Sequence, residues 1–428
     1  MSLPSVEAIR FPGDVNIRRL EVVSSANFKI DMTNQLIGLE IYEDMFSPFV
    51  TIAISIRESS DFINALPLCG EEIVNLEIAT PTYNKDDKII KGKFYIYKLS
   101  DRQLLTDRNS AYTLYCISYE SLIDLNMKQS KTYSGNIGDI VLSLFKKEGL
   151  NTTKKINIES TKNSLKYVSN FWSPIKNISY LTTNAVSNSG SPAYVFFENT
   201  KGFNFITLDS MYKQDVFQKF IKDNYVRDID KSGKSVFNLN RDYQRILDVK
   251  VKVAFDALKF TNAGVYGSRL YAYDLVKKKL FAKDYNALSK FNETAHLNKN
   301  PLYTAKKPVS AVNTIFNEVK HYAVFNGYHD TSNVTTQQQR NSMLGLLRSS
   351  VIEITVFGRT DYTIGQKVYV QIPKATVITD EDTNDLDNKT GTIDNTYSGN
   401  YLVTAINHTI NRDSHMCLLE LSKESKLN

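Results

Sequence analysis

The chain has 428 residues, a length that allows two to four domains, each with a hydrophobic core of its own. It is 42% hydrophobic and 23% charged, as is typical of a globular protein, and its net charge of +6 is too dilute to indicate a nucleic-acid-binding surface. The sequence shows no signal-peptide pattern and no apolar run long enough for a bilayer, so we expect a soluble protein without a membrane anchor.

Aromatic residues and cysteines narrow the fold class further. The chain is 11% aromatic, with 25 Tyr and 22 Phe, and these side chains favour pleated, half-buried surfaces. The cysteines are Cys69, Cys116 and Cys417, an odd number at wide spacings that predicts neither a disulfide framework nor a CxxC metal site. We therefore expect a β-rich α+β protein in which the cysteines are small buried hydrophobes.

From about residue 27 to residue 120 the pattern is almost purely that of β-strands. Residues 49–56 alternate with a period of two, Val74, Leu76 and Ile78 continue the alternation, and 94–97 and 112–117 complete a meander. Five or so strands of this kind must close on themselves or pair with a neighbour. We predict a small tube-type β-barrel domain over 1–120.

Residues 121–240 change character and predict an α+β insertion domain. Apolar residues from Ile137 to Phe145 lie on one helical face, with Asn136 as the N-cap and Gly149 as the terminator. A second helix is predicted to begin at Ser173 and Pro174. Residues 193–208 predict a β-hairpin around a loop that contains glycine.

The rest of the chain, 241–428, predicts a second and discontinuous β-barrel domain. Residues 246–256 alternate as a strand, the stretch 266–285 resembles a hairpin, and a helix over about 335–348 leads into a strand at 351–357. The interruption covers about 258–330, with a long loop from 286 to 309. An acidic loop over 376–398 interrupts the domain again.

One element of the sequence occurs twice. The strand, turn and strand that begin at Gly92 return from Gly399, and matching elements upstream begin at Gly70 and Gly365. Two copies cannot form a solenoid, which needs several short repeats at a fixed period. The duplication indicates pseudo-symmetry within one subunit, which is typical of a component of an assembly.

No residue pattern in the chain predicts an enzyme, a cofactor or a metal site. In the acidic loop, an EF-hand starting at Asp380 would need glycine where Asp385 stands, and one starting at Asp382 would place Leu386 at a ligand position, so a solvated loop is favoured. Nucleophile-elbow and phosphate-loop motifs are missing. The site prediction is therefore no catalytic, no cofactor-binding and no metal-binding residue.

The remaining candidates for a functional site are the histidines and one basic, aromatic stretch. The five histidines are His296, His321, His329, His408 and His415, and none lies in an HExxH or HxH pattern. His408 and His415 fall on the two strands of the C-terminal hairpin, where barrel or interface positions are expected. The stretch 271–280 mixes tyrosines with lysines, and a strand at a subunit contact is favoured there over a nucleic-acid site.

The order of these parts resembles a known family, the central baseplate hub proteins of contractile-tailed phages, or T4 gene product 27-like family. The resemblance lies in the two β-domains, the α+β insertion, the segment at 266–275, and the closing hairpin at 399–408 and 414–421. The acidic insertion has no counterpart that matches the family.

The resemblance implies a structural protein without catalytic residues. It implies a homotrimer in which six similar barrels form a pseudo-sixfold ring, joined to the hexameric tail tube or tube-initiator proteins on one face and to the trimeric cell-puncturing spike on the other. Other baseplate proteins would be neighbours, and phage DNA would pass through the lumen. The implied location is the virion baseplate, assembled in the host cytoplasm.

Two alternatives from other classes stay open at this point. One is a hub or spike component of a bacterial contractile injection system. The other is a phage glycan-binding or wall-degrading tail protein, which predicts exposed aromatic platforms or a deep cleft with two carboxylates at glycosidase distance.

Overall fold

The computed structural model describes residues 8–25, 27–59, 62–65, 68–83, 85, 88–106, 109–222, 238–274, 278–302, 314–317, 332–374 and 393–427. It shows the β-rich architecture that the sequence predicts, with helices confined to short segments between strands. The fold is dominated by one 13-stranded sheet.

The N-terminal part of the chain supplies seven strands of this sheet and one short helix. They are β1 Asn16–Val23, β2 Lys29–Asp31, β3 Leu36–Asp44, β4 Thr51–Glu58, α1 Phe62–Ala65, β5 Ile73–Ala79, β6 Ile90–Thr106 and β7 Asn109–Ser118, with a 3-10 turn at Thr33–Gln35 between β2 and β3. Five of the strands lie side by side in the spatial order β3-β4-β7-β6-β5. These five strands are called the first unit.

The insertion that follows contains five helices and six strands. They are α2 Glu120–Asn126, β8 Thr132–Asn136, α3 Ile137–Phe145, β9 Ile156–Ile158, β10 Ser164–Val168, α4 Pro174–Asn184, β11 Tyr194–Asn199, β12 Gly202–Thr207, α5 Leu208–Tyr212, β13 Gln218–Ile221 and, after a gap in the described residues, α6 Leu239–Gln244. The hairpin β11–β12 is extended by β9, which pairs parallel to β12. The hairpin predicted at 193–208 is confirmed.

Both predicted helix starts are confirmed by their caps. The side chain of Asn136 accepts a hydrogen bond from the backbone N–H of Gly138, and that of Ser173 accepts one from Lys176. The predicted end of α3 at Gly149 was wrong, because the helix stops at Phe145. Gly149 is needed for another reason: a Cβ there would lie 1.8 Å from the carbonyl oxygen of Leu144.

The C-terminal part of the chain supplies the remaining elements. They are β14 Ile246–Val253, α7 Ala257–Asn262, β15 Gly267–Asp274, β16 Lys279–Asn286, a 3-10 turn at Phe291–Glu293, β17 Asn300–Pro301, β18 Thr314–Asn317, α8 Ser332–Leu347, β19 Ser350–Phe357, β20 Lys367–Gln371, β21 Gly399–Asn411, β22 His415–Lys423 and β23 Ser425–Lys426. Strands β15, β16 and β18 form a separate small sheet, as the hairpin-like stretch at 266–285 predicts for the first two. The helix predicted from about 335 begins three residues earlier.

The second unit consists of β14, β19, β22, β21 and β20, in that spatial order, with β13 added parallel to β20. Each strand corresponds to one of the first unit, since β14 takes the place of β3, β19 of β4, β22 of β7, β21 of β6 and β20 of β5. Pairings repeat with the strands: Gly92 lies opposite Leu76, and Gly399 lies opposite Val370. The repeat detected in the sequence is therefore a repeat of strand order and register.

Even the irregularities of the two units coincide. The ladder of β6 with β7 shifts between Ile96 and Lys98, and that of β21 with β22 shifts between Val403 and Ala405. A second shift occurs between Leu36 and Gly38 on β3, and at the equivalent place on β14. Such bulges are retained features of a sheet, so they support duplication of a whole folded unit.

The two units are fused into one sheet, because β21 of the second unit pairs antiparallel with β3 of the first. Each unit has its own core: one cluster gathers side chains of β1 and β3–β7, and another gathers those of β19–β22 with the insertion. No ladder among the described residues joins the outer strands of either unit. The two closed barrels of the sequence prediction are thus not confirmed.

Candidate assembly interface

The junction between the two units is built by the far half of β21 and by β3. Pairing runs from Ala405 opposite Asp44 to Asn411 opposite Gly38. The junction is dry, since Ile41 and Ile410 are fully buried and Met45, just after β3, is 1% exposed. Packing across the two units is direct, because Ile410 of the second unit belongs to the core cluster of the first.

The strands equivalent to this pair are unpaired on the corresponding sides. Strand β6 is the counterpart of β21, and its far half, beyond residue 96, pairs only with β7 among the described residues. Strand β14 is the counterpart of β3, and in the described part of the chain it pairs only with β19. Within the described part of the chain, the molecule therefore has two free strand edges whose equivalents are joined internally.

Apolar side chains on these edges are exposed where their equivalents are buried. Leu104 on β6 is 78% exposed, and Val251 on β14 is 41% exposed. Phe255, just after β14, is 81% exposed. The counterparts of Leu104 and Val251 are Ile410 and Ile41, and both of these are fully buried. Exposed apolar residues on a free strand edge are typical of a surface that another chain covers.

A buried carboxylate holds the internal junction to its surroundings. Glu43 on β3 accepts hydrogen bonds from the backbone N–H of Thr200, at 2.8 Å, and from that of Ile364, at 3.0 Å. Burial raises the pKa of Glu43 to about 7, although these donors favour the ionised form. One side chain thereby connects the first unit, the insertion and the second unit.

A second buried charge cluster joins the insertion to the first unit. The Nζ atom of Lys154 lies 2.6 Å from a carboxylate oxygen of Glu120 and 2.6 Å from one of Glu198. Glu198 also accepts from the backbone N–H of Val50 at 3.0 Å. Burial raises the pKa of Glu198. Burial also disfavours the charged form of Lys154, but the two nearby carboxylates outweigh this effect and raise the pKa of Lys154. The insertion is therefore clamped to the sheet.

The histidines fall into three groups. His321 and His329 lie outside the described residues. His296 has a local structural role, since it stacks on Phe291 at 3.6 Å between ring centroids and approaches the Glu424 carboxylate at 3.2 Å. The remaining pair, His408 and His415, meet in the core of the second unit. Their placement on the two strands of a hairpin is compatible with this contact but does not predict it.

This pair and Cys417 form the candidate metal-ligating group among the described residues. His408 Nδ1 lies 2.9 Å from His415 Nε2, and Cys417 Sγ lies 3.2 and 3.4 Å from these two nitrogens. All three side chains are fully buried. The alternation along β22 places residues 415 and 417 on one face, and this spacing was the signal available in the sequence.

Other sequence candidates have different outcomes. Residues 375–392, most of the acidic loop, lie outside the described residues, as does Lys277 of the basic stretch. Cys116 and Cys417 are buried as predicted, but the prediction for Cys69 was wrong. It is exposed because it lies in the turn before β5, where its backbone N–H donates to Glu72. In the described part of the chain, no helix combines the length and apolarity that crossing a bilayer requires.

Comparison with known proteins extends these observations. No family model matches the chain. A curated relative, the probable baseplate hub protein gp334 of Vibrio phage KVP40, is 20% identical over 430 residues, which cover 95% of this chain and 94% of the relative.

Two solved structures show the same fold. The tail protein from Neisseria meningitidis MC58 aligns with a TM-score of 0.55 at 11% identity, over 95% of this chain and 96% of its own. The 43 kDa tail protein of prophage MuSo2 from Shewanella oneidensis aligns with a TM-score of 0.55 at 8% identity, over 95% and 98%. The predicted resemblance to phage baseplate hub proteins is confirmed by this full-length relative, and the expected baseplate location agrees with the name of that relative. The two tail-protein structures confirm the fold.

Proposed function

We propose that the chain is a structural subunit of a phage baseplate hub, in which three copies associate head to tail into a closed ring of six near-equivalent units. The ring joins the hexameric tail tube to the trimeric spike and surrounds the path of the DNA. The observation that carries this proposal is the internal junction: the molecule already contains one such contact, and it exposes the matching halves of a second.

The internal junction also supplies a register for the contact between subunits. Carrying the pairing of Thr409 with Glu40 over to the equivalent strands places Gln103 of β6 opposite Lys250 of a neighbour's β14. A head-to-tail contact of this kind uses two different surfaces, so it closes into a ring or grows into a filament. The resemblance to baseplate hub proteins favours closure at three copies.

The wall-degrading alternative gains no support from the clefts of the molecule. Two clefts, of about 490 and 400 Å³, are lined by residues near Tyr119 and near Tyr243. Neither is lined by an aspartate or a glutamate in the described residues. A paired-carboxylate mechanism therefore has no candidate in these two clefts.

Disulfide trapping tests the proposed contact directly. In a background with the exposed Cys69 replaced by serine, Gln103→Cys and Lys250→Cys are combined. Directly opposed residues of antiparallel strands have Cβ atoms about 4.5–5.5 Å apart, close enough for a disulfide after small adjustment. Oxidation should yield covalent dimers and trimers on a non-reducing gel, with no larger species.

The matched control combines Gln103→Cys with Val251→Cys, because Val251 is the strand neighbour of Lys250 and neighbouring residues on a strand point to opposite faces. This pair should not cross-link. A ladder extending beyond three copies would contradict closure, and a purified trimer that fails to cross-link would show that the subunits meet through another surface. A protein that remains monomeric with its tube and spike partners would overturn the proposal.

A further inference from the structure

The polar group in the core of the second unit has no counterpart in the first unit. The positions equivalent to His415 and Cys417 are occupied by Ser110 and Tyr112, and Tyr112 fills the space as a buried ring, 2% exposed. The fold therefore does not require two imidazoles and a thiol at this place. Their presence in one copy only indicates a property that the second unit has and the first lacks.

Each imidazole turns one ring nitrogen toward the group and the other away from it. The outer nitrogen of His415, Nδ1, is buried and has no hydrogen-bond partner in the described residues. A buried polar atom without a partner lowers stability compared with an apolar side chain of the same shape. The three near atoms, by contrast, all point at one another.

We propose that His408, His415 and Cys417 together bind one Zn²⁺ ion, or another thiophilic first-row metal ion, inside the second unit. Two imidazoles and one thiolate are donors that such ions take. Zinc bonds of about 2.0 Å to nitrogen and about 2.3 Å to sulfur, at tetrahedral angles, place nitrogens ~3.3 Å apart and nitrogen and sulfur ~3.5 Å apart. The observed separations of 2.9, 3.2 and 3.4 Å fall short by only a few tenths of an ångström.

The main chain fixes one of the three ligands from both sides. The backbone N–H of His415 donates to the carbonyl oxygen of Gly13, and its carbonyl oxygen accepts from the N–H of Gly358, each at 2.8 Å. Gly358 also leaves the space that the imidazole occupies, since a Cβ there would lie 2.3 Å from the ring. The ring is thus held in place by residues distant in sequence.

Protonation states agree with this assignment. Burial lowers the pKa of His415 to about 3 and that of His408 well below its usual value, so both rings are neutral and able to bind a metal. Burial raises the pKa of Cys417, the charges of Glu43 and Asp361 act in the same direction, and the backbone N–H and positive charge of Arg359 act in the opposite one. Binding converts the thiol and Zn²⁺ into a zinc thiolate and releases one proton.

Metal analysis after refolding tests the proposal. Because the three side chains are fully buried, the full chain carrying Cys69→Ser is unfolded, refolded with ZnCl₂, freed of loose metal and analysed by mass spectrometry. We expect about one zinc ion per chain. Cys417→Ser should lose the ion, whereas Cys116→Ser, which alters another fully buried cysteine with no histidine beside it, should keep it.

Refolding with Co²⁺ gives a second readout that needs no variant. A sulfur-to-cobalt charge-transfer band and strong visible absorption are expected from a tetrahedral site with one thiolate, and a chelator present during refolding should lower the melting temperature. If the folded protein retains no zinc after refolding, or if folded Cys417→Ser retains as much as its parent, the group is a hydrogen-bonded trio and not a metal site.

Discussion

Truncating Leu104 to alanine should weaken association between subunits without weakening the subunit itself. In the isolated chain the side chain is 78% exposed, whereas its equivalent Ile410 is fully buried at the internal junction. Leu104→Ala removes three carbons, worth about 2.4 kcal/mol at ~0.8 kcal/mol each. The exposed fraction then gives about 1.9 kcal/mol per contact, or roughly a 25-fold weaker contact.

A closed trimer contains three such contacts, so its total free energy of association should fall by about 6 kcal/mol. Sedimentation equilibrium over a range of protein concentrations measures this loss. Denaturant unfolding at concentrations where the chain is monomeric should change little, because an exposed side chain contributes little there.

Leu125→Ala is the matched control, since Leu125 on α2 is 70% exposed and lies away from both free edges. It should leave the association constant unchanged. Equal weakening by the two variants would mean that exposed leucines act nonspecifically. No weakening by Leu104→Ala would place the subunit contact elsewhere and refute the argument from the internal junction.

Three further substitutions address the buried polar groups. Glu43→Gln should remove a pH dependence of stability. Because burial raises the pKa of Glu43 from 4.5 to about 7, the wild type loses about 3 kcal/mol of unfolding free energy as the pH rises through that window. The glutamine variant does not titrate there and should not show this loss. Lys154→Met should cost about 3–5 kcal/mol by leaving buried carboxylates unpaired, whereas Lys131→Met, at a surface ion pair, should change stability little. Gly358→Ala should cost about 1–3 kcal/mol by forcing the ring of His415 to move.

Each of these expectations has a clear contrary result in denaturant titrations. Identical pH profiles for Glu43→Gln and the wild type would show that Glu43 stays ionised in the fold; Glu40→Gln, which changes a less buried residue of the same strand, corrects for the surface charge. Similar losses for Lys154→Met and Lys131→Met would mean that solvent reaches both lysines. If Gly358→Ala leaves the free energy of unfolding unchanged, the ring of His415 has room to move.

Local signals in the sequence predicted local structure well. The caps at Asn136 and Ser173 depend on residues within one helical turn, and the alternation at 246–256 predicted a strand that the structure has over Ile246–Val253. The duplication was detectable because Gly92 and Gly399 keep the same register in both copies. Gly70 and Gly365 both have positive φ, but the strands that follow them start one residue out of step.

Contacts between distant strands could not be predicted in this way. The fusion of β21 to β3 depends on how two sheet edges meet, and no feature of either strand alone specifies its partner. The same holds for His408, His415 and Cys417, which converge only because a ladder sets His408 opposite Cys417. Short strands such as β9, of three residues, carry too few positions for a recognisable period.

The fusion of two units in one polypeptide also changes the kinetics of the proposed ring. Linked in one chain, β3 and β21 experience an effective concentration that does not depend on how much protein the cell makes. Half of the six contacts would then form during folding, so that closure needs an encounter of three molecules and not of six. Sequence changes at the internal contact would be selected for folding and those at the external contact for assembly, which leaves each free to adapt separately.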